Sequence, residues 1–198
     1  MRRYLSLAII ALVVLSGCSK KQPQASPTTA APTPSASAEP SAAPSTSPSP
    51  LIQFTVDGAG PYQLGTTLQA LQDAGQLDEV ATGAETCPSN TTARGKGVWK
   101  DIRLQFRPNG VLYLVVNRST TIPTPSGAWL GNSLAALESI YGVLGQELVV
   151  GTHYGYLVTT GSGRAILFDL DSGKKAFAMI AGEGNYLKSS FLGGTDFC

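Results

Sequence analysis

His153 is the one histidine among 198 residues, so a hydrolytic reading would have to couple it to a serine nucleophile and a carboxylate. It sits between Thr152 and Tyr154 at a strand start. No Gly-x-Ser-x-Gly elbow is present, and Gly161-Ser162-Gly163 carries only a fragment of one and reads as a turn. No cysteine or second histidine stands at zinc-ligand spacing from His153. Asp169-x-Asp171-x-Gly173 echoes the start of a calcium loop, but Phe177 and Ile180 occupy the positions that should supply the later oxygen ligands. Glu79 and Glu85 flank the exit of a helix without a spacing that couples them as acid and base. Gly182-Glu183-Gly184 lacks the strand-to-helix context of a phosphate loop, and Asn90-Thr91-Thr92 and Asn117-Arg118-Ser119 read as chance matches to a glycosylation sequon. The expectation is no catalytic residue, no metal and no cofactor.

Covalent chemistry falls instead to three cysteines, Cys18, Cys87 and Cys198. Met1-Arg2-Arg3 is a short positive start, followed by the apolar stretch Tyr4–Leu15 and then Leu15-Ser16-Gly17-Cys18, a secretory signal pattern. Twelve residues of helix reach about 18 Å, short of the roughly 30 Å of a bilayer core, so the stretch is not read as a spanning helix. Leu15-Ser16-Gly17-Cys18 resembles the lipobox of bacterial lipoproteins. That resemblance implies cleavage after residue 17 and diacylglycerol on the Cys18 thiol; the alternative is an ordinary signal peptide cleaved elsewhere. Two acyl chains anchor stably where one holds marginally. The remaining pair, Cys87 and Cys198, is expected to form a disulfide in an oxidising compartment. The bridge would close a loop of 111 residue steps.

Between anchor and fold, Ser19–Pro50 holds eight Pro, eight Ser, seven Ala and four Thr in 32 residues, with no Phe, Leu, Ile, Val, Trp or Tyr. No core can form from that composition, and repeated Pro favours extended segments spanning about 30 to 100 Å. A spacer is the reading, with a docking peptide for a Pro-binding partner as the alternative. Residues 1–17 are therefore assigned to a leader, 18–50 to a lipidated tether and 51–198 to a globular domain.

The domain has ten Lys/Arg against twelve Asp/Glu, which excludes the basic footprint of a nucleic-acid binder. Leu64-Gly65-Thr66-Thr67-Leu68-Gln69-Ala70-Leu71 matches Leu130-Gly131-Asn132-Ser133-Leu134-Ala135-Ala136-Leu137 at an offset of 66. Each reads as a helix start capped by Thr66 or Asn132, with leucines on one face and a stop at Gly75 or Gly142. Strand-like alternation from Val98 to Arg107, the turn Pro108-Asn109-Gly110 and Val111–Val116 predict a hairpin. Tyr154–Thr160, Arg164–Leu170 and Lys175–Ala181 predict a three-stranded meander, and Ile52, Phe54 and Val56 a further strand. The fold class expected is α+β: two tandem helix-then-antiparallel-sheet repeats, about 51–120 and 121–198, with the helices packed on one face of a curved sheet.

The run Thr124-Pro125-Ser126-Gly127-Ala128-Trp129-Leu130-Gly131-Asn132-Ser133-Leu134, closing at Tyr141-Gly142, resembles a pattern of small secreted repeats. Such units are similar to those of the β-lactamase inhibitory protein and of the small lipoprotein of the outer-membrane β-barrel assembly machine. The resemblance implies binding and names no partner. Trp99, Trp129, Tyr154 and Tyr156 are the candidate partner-binding aromatics, with filling of the core as the competing role. Together these features predict a lipoprotein held to the outer face of the cell membrane by its N-terminal lipid, a non-enzymatic binding or structural module for a protein partner in the envelope. The alternatives are an envelope hydrolase using His153 and an inhibitor of a secreted enzyme.

Overall fold

In the computed structural model, residues 52–84, 87–195 and 197 are described. The leader, Cys18, the tether, Glu85 and Cys198 lie outside them.

Three two-residue strands, β1 (Phe54–Thr55), β2 (Gly58–Ala59) and β3 (Tyr62–Gln63), form a small antiparallel sheet. Tyr62 fixes it in place: its buried hydroxyl donates to the Gln76 carbonyl at 2.8 Å and accepts the Lys96 N–H at 2.9 Å. After α1 (Leu68–Asp73) come β4 (Leu77–Ala84), β5 (Cys87–Gly95), β6 (Ile102–Phe106) and β7 (Leu112–Asn117). After α2 (Leu134–Tyr141) come β8 (Gly145–Val150), β9 (His153–Thr159), β10 (Arg164–Leu170), β11 (Ala176–Glu183) and α3 (Gly184–Leu192). The eight longer strands make one antiparallel sheet in the order β4-β5-β6-β7-β11-β10-β9-β8. Its two halves meet where Val115 pairs with Ala181 and Asn117 with Met179.

This architecture overturns the expected α+β fold. The described chain is mostly β, in one continuous eight-stranded sheet beside a three-stranded one, and the helices are short, at 6, 8 and 9 residues. Nor do the helices share a face. Successive strand residues point to opposite sides of the pleat, and the apolar ones divide into two cores. Leu104, Phe106, Val115, Phe168 and Met179 pack with Leu71 of α1 and Leu134 and Leu137 of α2 on one side. On the other, Leu114, Leu157, Leu167 and Ile180 pack under Leu187 and Phe191 of α3. Gly155 lies under the Phe191 ring, where a Cβ would come within 2.9 Å of that ring, so the glycine permits the close approach of α3. Each fully buried leucine contributes about 1.5–3 kcal/mol of transfer free energy, so the two layers together hold the sheet from both faces.

The predicted hairpin and meander are present as β6–β7 and β9–β10–β11, and the predicted strand at Ile52–Val56 contains β1. The helix caps fall one residue later than expected: Thr67 Oγ1 accepts the Ala70 N–H and Ser133 Oγ the Ala136 N–H. Asn132 Oδ1 accepts from the Trp129 N–H instead. Gly142, with φ of 51°, adopts the left-handed backbone that ends α2.

Candidate binding surface

Strand geometry separates the residues a hydrolase would need. His153 opens β9 and is exposed, whereas Ser162 lies in the turn after the far end of that strand, roughly 20 Å away at about 3.3 Å per residue. Asp169 of β10 does share a cavity of about 210 Å³ with His153, Val150, Phe191, Thr195 and Phe197. Burial pushes the Asp169 carboxyl above its ordinary pKa, while the charges of Arg118 and His153 pull it down. Asp171 serves the turn: its Oδ1 accepts the N–H groups of Gly173 and Lys175, both at 2.9 Å. Glu79 is engaged by Arg94 at 2.8 Å.

Gly182-Glu183-Gly184 does bridge a strand and a helix, contrary to the sequence reading, but not as a phosphate cradle. The Glu183 carboxylate itself caps α3, accepting from the N–H groups of Asn185 and Tyr186 at 3.1 and 2.7 Å. A carboxylate in that place repels a second anion. The two sequon asparagines are buried. Asn90 donates to the Tyr113 hydroxyl at 3.0 Å, and Asn117 donates to the Ile122 carbonyl at 3.2 Å.

The four candidate aromatics do not converge. Trp99 is half-buried in the 3₁₀ turn Gly97–Trp99, edge-on to Tyr62 at 6.4 Å. Tyr156 is 2% exposed and belongs to the core, its hydroxyl donating to the Gly142 carbonyl at 3.4 Å. Tyr154 is half-buried beneath the Lys174 ammonium at 4.7 Å, and that lysine is paired with Glu147 at 2.9 Å. Trp129 alone is substantially exposed, at 42%. Trp99 precedes β6, while Tyr154 and Tyr156 stand on β9, with β7, β11 and β10 between those strands.

Cys87 opens β5 and is buried. Its expected partner Cys198 lies outside the described residues, and the pairing is carried forward as a proposal.

An apolar groove that the sequence reading did not single out lies beside α2. The left-handed Gly142 turns the chain from α2 into the 3₁₀ turn Gly142–Leu144, leaving Val143 fully exposed and Leu144 61% exposed. Leu144 lines a groove of about 400 Å³ together with Val56, Pro125, Tyr141, Val158 and Ile166. Thr124 Oγ1 and the Tyr141 hydroxyl are 2.7 Å apart at its wall, and burial raises the Tyr141 pKa against the bonds from Thr124 and Ser126. A signal for this groove existed in Val143-Leu144 following the helix-ending glycine, apolar residues placed beyond the leucine stripe of α2.

No family model matches the chain, and no curated protein matches it. Among solved structures it is similar to an extracellular protein containing an SCP domain from Bacillus anthracis str. Ames, with 7% identity over 63% of this chain and 46% of that one and a TM-score of 0.38. The chain thus spans about half the length of that protein. No helix of the described residues is long and apolar enough to cross a membrane.

Proposed function

We propose that this protein is an extracytoplasmic lipoprotein that acts as a non-enzymatic binding module for a protein partner of the cell envelope. The structural observation that supports binding is the groove beside α2. Fully exposed Val143 and 61% exposed Leu144 adjoin a concavity walled by Val56, Pro125, Tyr141, Val158 and Ile166. Apolar side chains massed at a concave site stay in water at a free-energy cost that a partner's apolar anchor removes. Anchoring follows from the resemblance of Leu15-Ser16-Gly17-Cys18 to a lipobox and from the Pro-rich spacer that separates it from the domain.

A photoreactive side chain at position 144 tests the binding half in intact cells. The expected result is a discrete adduct with an envelope protein from position 144 and none from position 72, an exposed site on α1. Equal labelling from both positions, or none from either, contradicts this reading.

A further inference from the structure

We propose that the end of the domain where the tether joins it docks on the anionic phospholipid headgroups of the membrane that holds the anchor. This inference rests on the lipid-anchored reading and adds to it a second contact, between the folded domain and the lipid surface.

Ile52 follows directly on the tether in sequence, so the segment that carries Cys18 joins the domain at this point. At this point the surface is both apolar and cationic. Ile52 is 45% exposed and Val98 62% exposed. They line a shallow groove of about 600 Å³ with Lys100, Asp101, Arg118 and the segment 119–122. Val98 faces outward because the next residue, Trp99, turns in against Tyr62. The 3₁₀ turn that carries Val98 is preceded by Lys96 and followed by Lys100. Arg118 continues the patch, its guanidinium 5.8 Å from the ring of Phe177, which is itself 42% exposed.

Lys96, Lys100 and Arg118 take part in none of the ion pairs of the described residues, which join Arg94 to Glu79, Arg164 to Asp57 and Lys174 to Glu147. Asp101 is the one acid lining the groove. Lys100 and Arg118 line the groove and Lys96 precedes its turn, against Asp101 in the lining and Asp169 near Arg118, in a domain whose acids outnumber its bases by twelve to ten. Exposed aliphatic side chains flanked by lysine and arginine suit an interface, where the apolar groups enter the headgroup layer and the cations meet phosphate. Each such cation raises occupancy of an anionic surface about fivefold, an effect confined to about a Debye length of 10 Å at 0.1 M salt. The tether keeps the local concentration of membrane high, so weak contacts suffice.

The test uses the full lipidated chain carrying Val98→Cys with an environment-sensitive fluorophore, reconstituted into vesicles of phosphatidylcholine with or without phosphatidylglycerol. Flotation with pure phosphatidylcholine vesicles reads the anchor alone, so its loss counts against the lipoprotein reading. Docking is read from the fluorophore: its emission should shift to the blue and intensify in vesicles containing phosphatidylglycerol, revert in high salt, and revert in Lys100→Glu and Arg118→Glu. A chain that floats yet shows the same emission in both vesicles overturns the docking proposal. So does a shift that grows with protein density and ignores charge reversal, which marks a second copy of the chain as the occupant.

Discussion

The Tyr113 hydroxyl lies 2.8 Å from the carbonyl oxygen of Phe197, joining β7 to the segment beyond α3 across 84 residues of sequence. The same hydroxyl accepts from the Asn90 amide at 3.0 Å and lies 2.7 Å from Gln105 Oε1. One phenolic oxygen thus gathers β5, β6, β7 and the chain after α3. Burial, reinforced by neighbouring Tyr186, pushes the Tyr113 pKa far up despite Arg107 above its ring at 4.8 Å, so the hydroxyl stays protonated as a donor.

Removing that oxygen strands the Asn90 amide and the Phe197 carbonyl. Tyr113→Phe should therefore lower stability by about 1–3 kcal/mol, the cost of leaving buried polar groups unpaired. The check is a lower urea midpoint at unchanged slope, together with faster amide exchange around Thr195–Phe197.

Asn90 stands three residues after Cys87, and Phe197 directly precedes Cys198. Because Tyr113 touches both Asn90 and Phe197, the proposed Cys87–Cys198 bridge joins segments already brought together. Cys198→Ser should lower stability by up to about 4.7 kcal/mol, the chain-entropy figure for a loop of roughly 100 residues. Mass spectrometry of the exported protein without reductant should find no alkylatable thiol at either position; finding two contradicts the bridge.

Asp169 makes stability depend on pH. Its carboxyl is raised above the ordinary 3.8, mainly by burial, so the folded state holds a proton that the unfolded chain releases. The associated stability is fully present below pH 3.8 and is lost as pH rises through the elevated folded value. Asp169→Asn should accordingly raise the melting temperature at pH 7, with the gain shrinking as pH falls toward the ordinary carboxylate value. A gain that is constant across that range would assign the effect to packing.

His153→Ala separates binding from hydrolysis. Exposed on the rim of β9 and roughly 20 Å from Ser162 along the strand, the imidazole is expected to be dispensable, and the variant should retain the cellular phenotype of the wild type. Leu144→Glu, which places a charge in the apolar groove, should abolish it while thermal unfolding stays within about 0.5 kcal/mol of wild type. The opposite pattern supports an enzyme.

Turn chemistry made part of this fold legible. Asn109-Gly110, Ser162-Gly163 and Ser172-Gly173 punctuate strands whose apolar residues alternate, and those strands are where the residues placed them. The missed elements lack that contrast. β4 and β5 form a ribbon of largely exposed Asp, Glu, Thr and Ser, and the left-handed Glu79, with φ of 48°, accompanies a register shift that breaks the period of two. α3 is masked in the sequence because two glycines, Gly182 and Gly184, flank its cap Glu183. The one-face arrangement failed for the same reason: without α3, the second apolar set on β9 and β10 had no cover to suggest. The groove escaped notice because its walls come from residues as far apart as Val56 and Ile166.

Detergent-phase partitioning of wild type against Cys18→Ala tests the lipid at Cys18 most directly. Wild type should enter the detergent phase as a mature chain of 181 residues, and the variant should leave it, either as an unprocessed precursor or in the medium. A Cys18→Ala protein that partitions into detergent as wild type does would contradict the account.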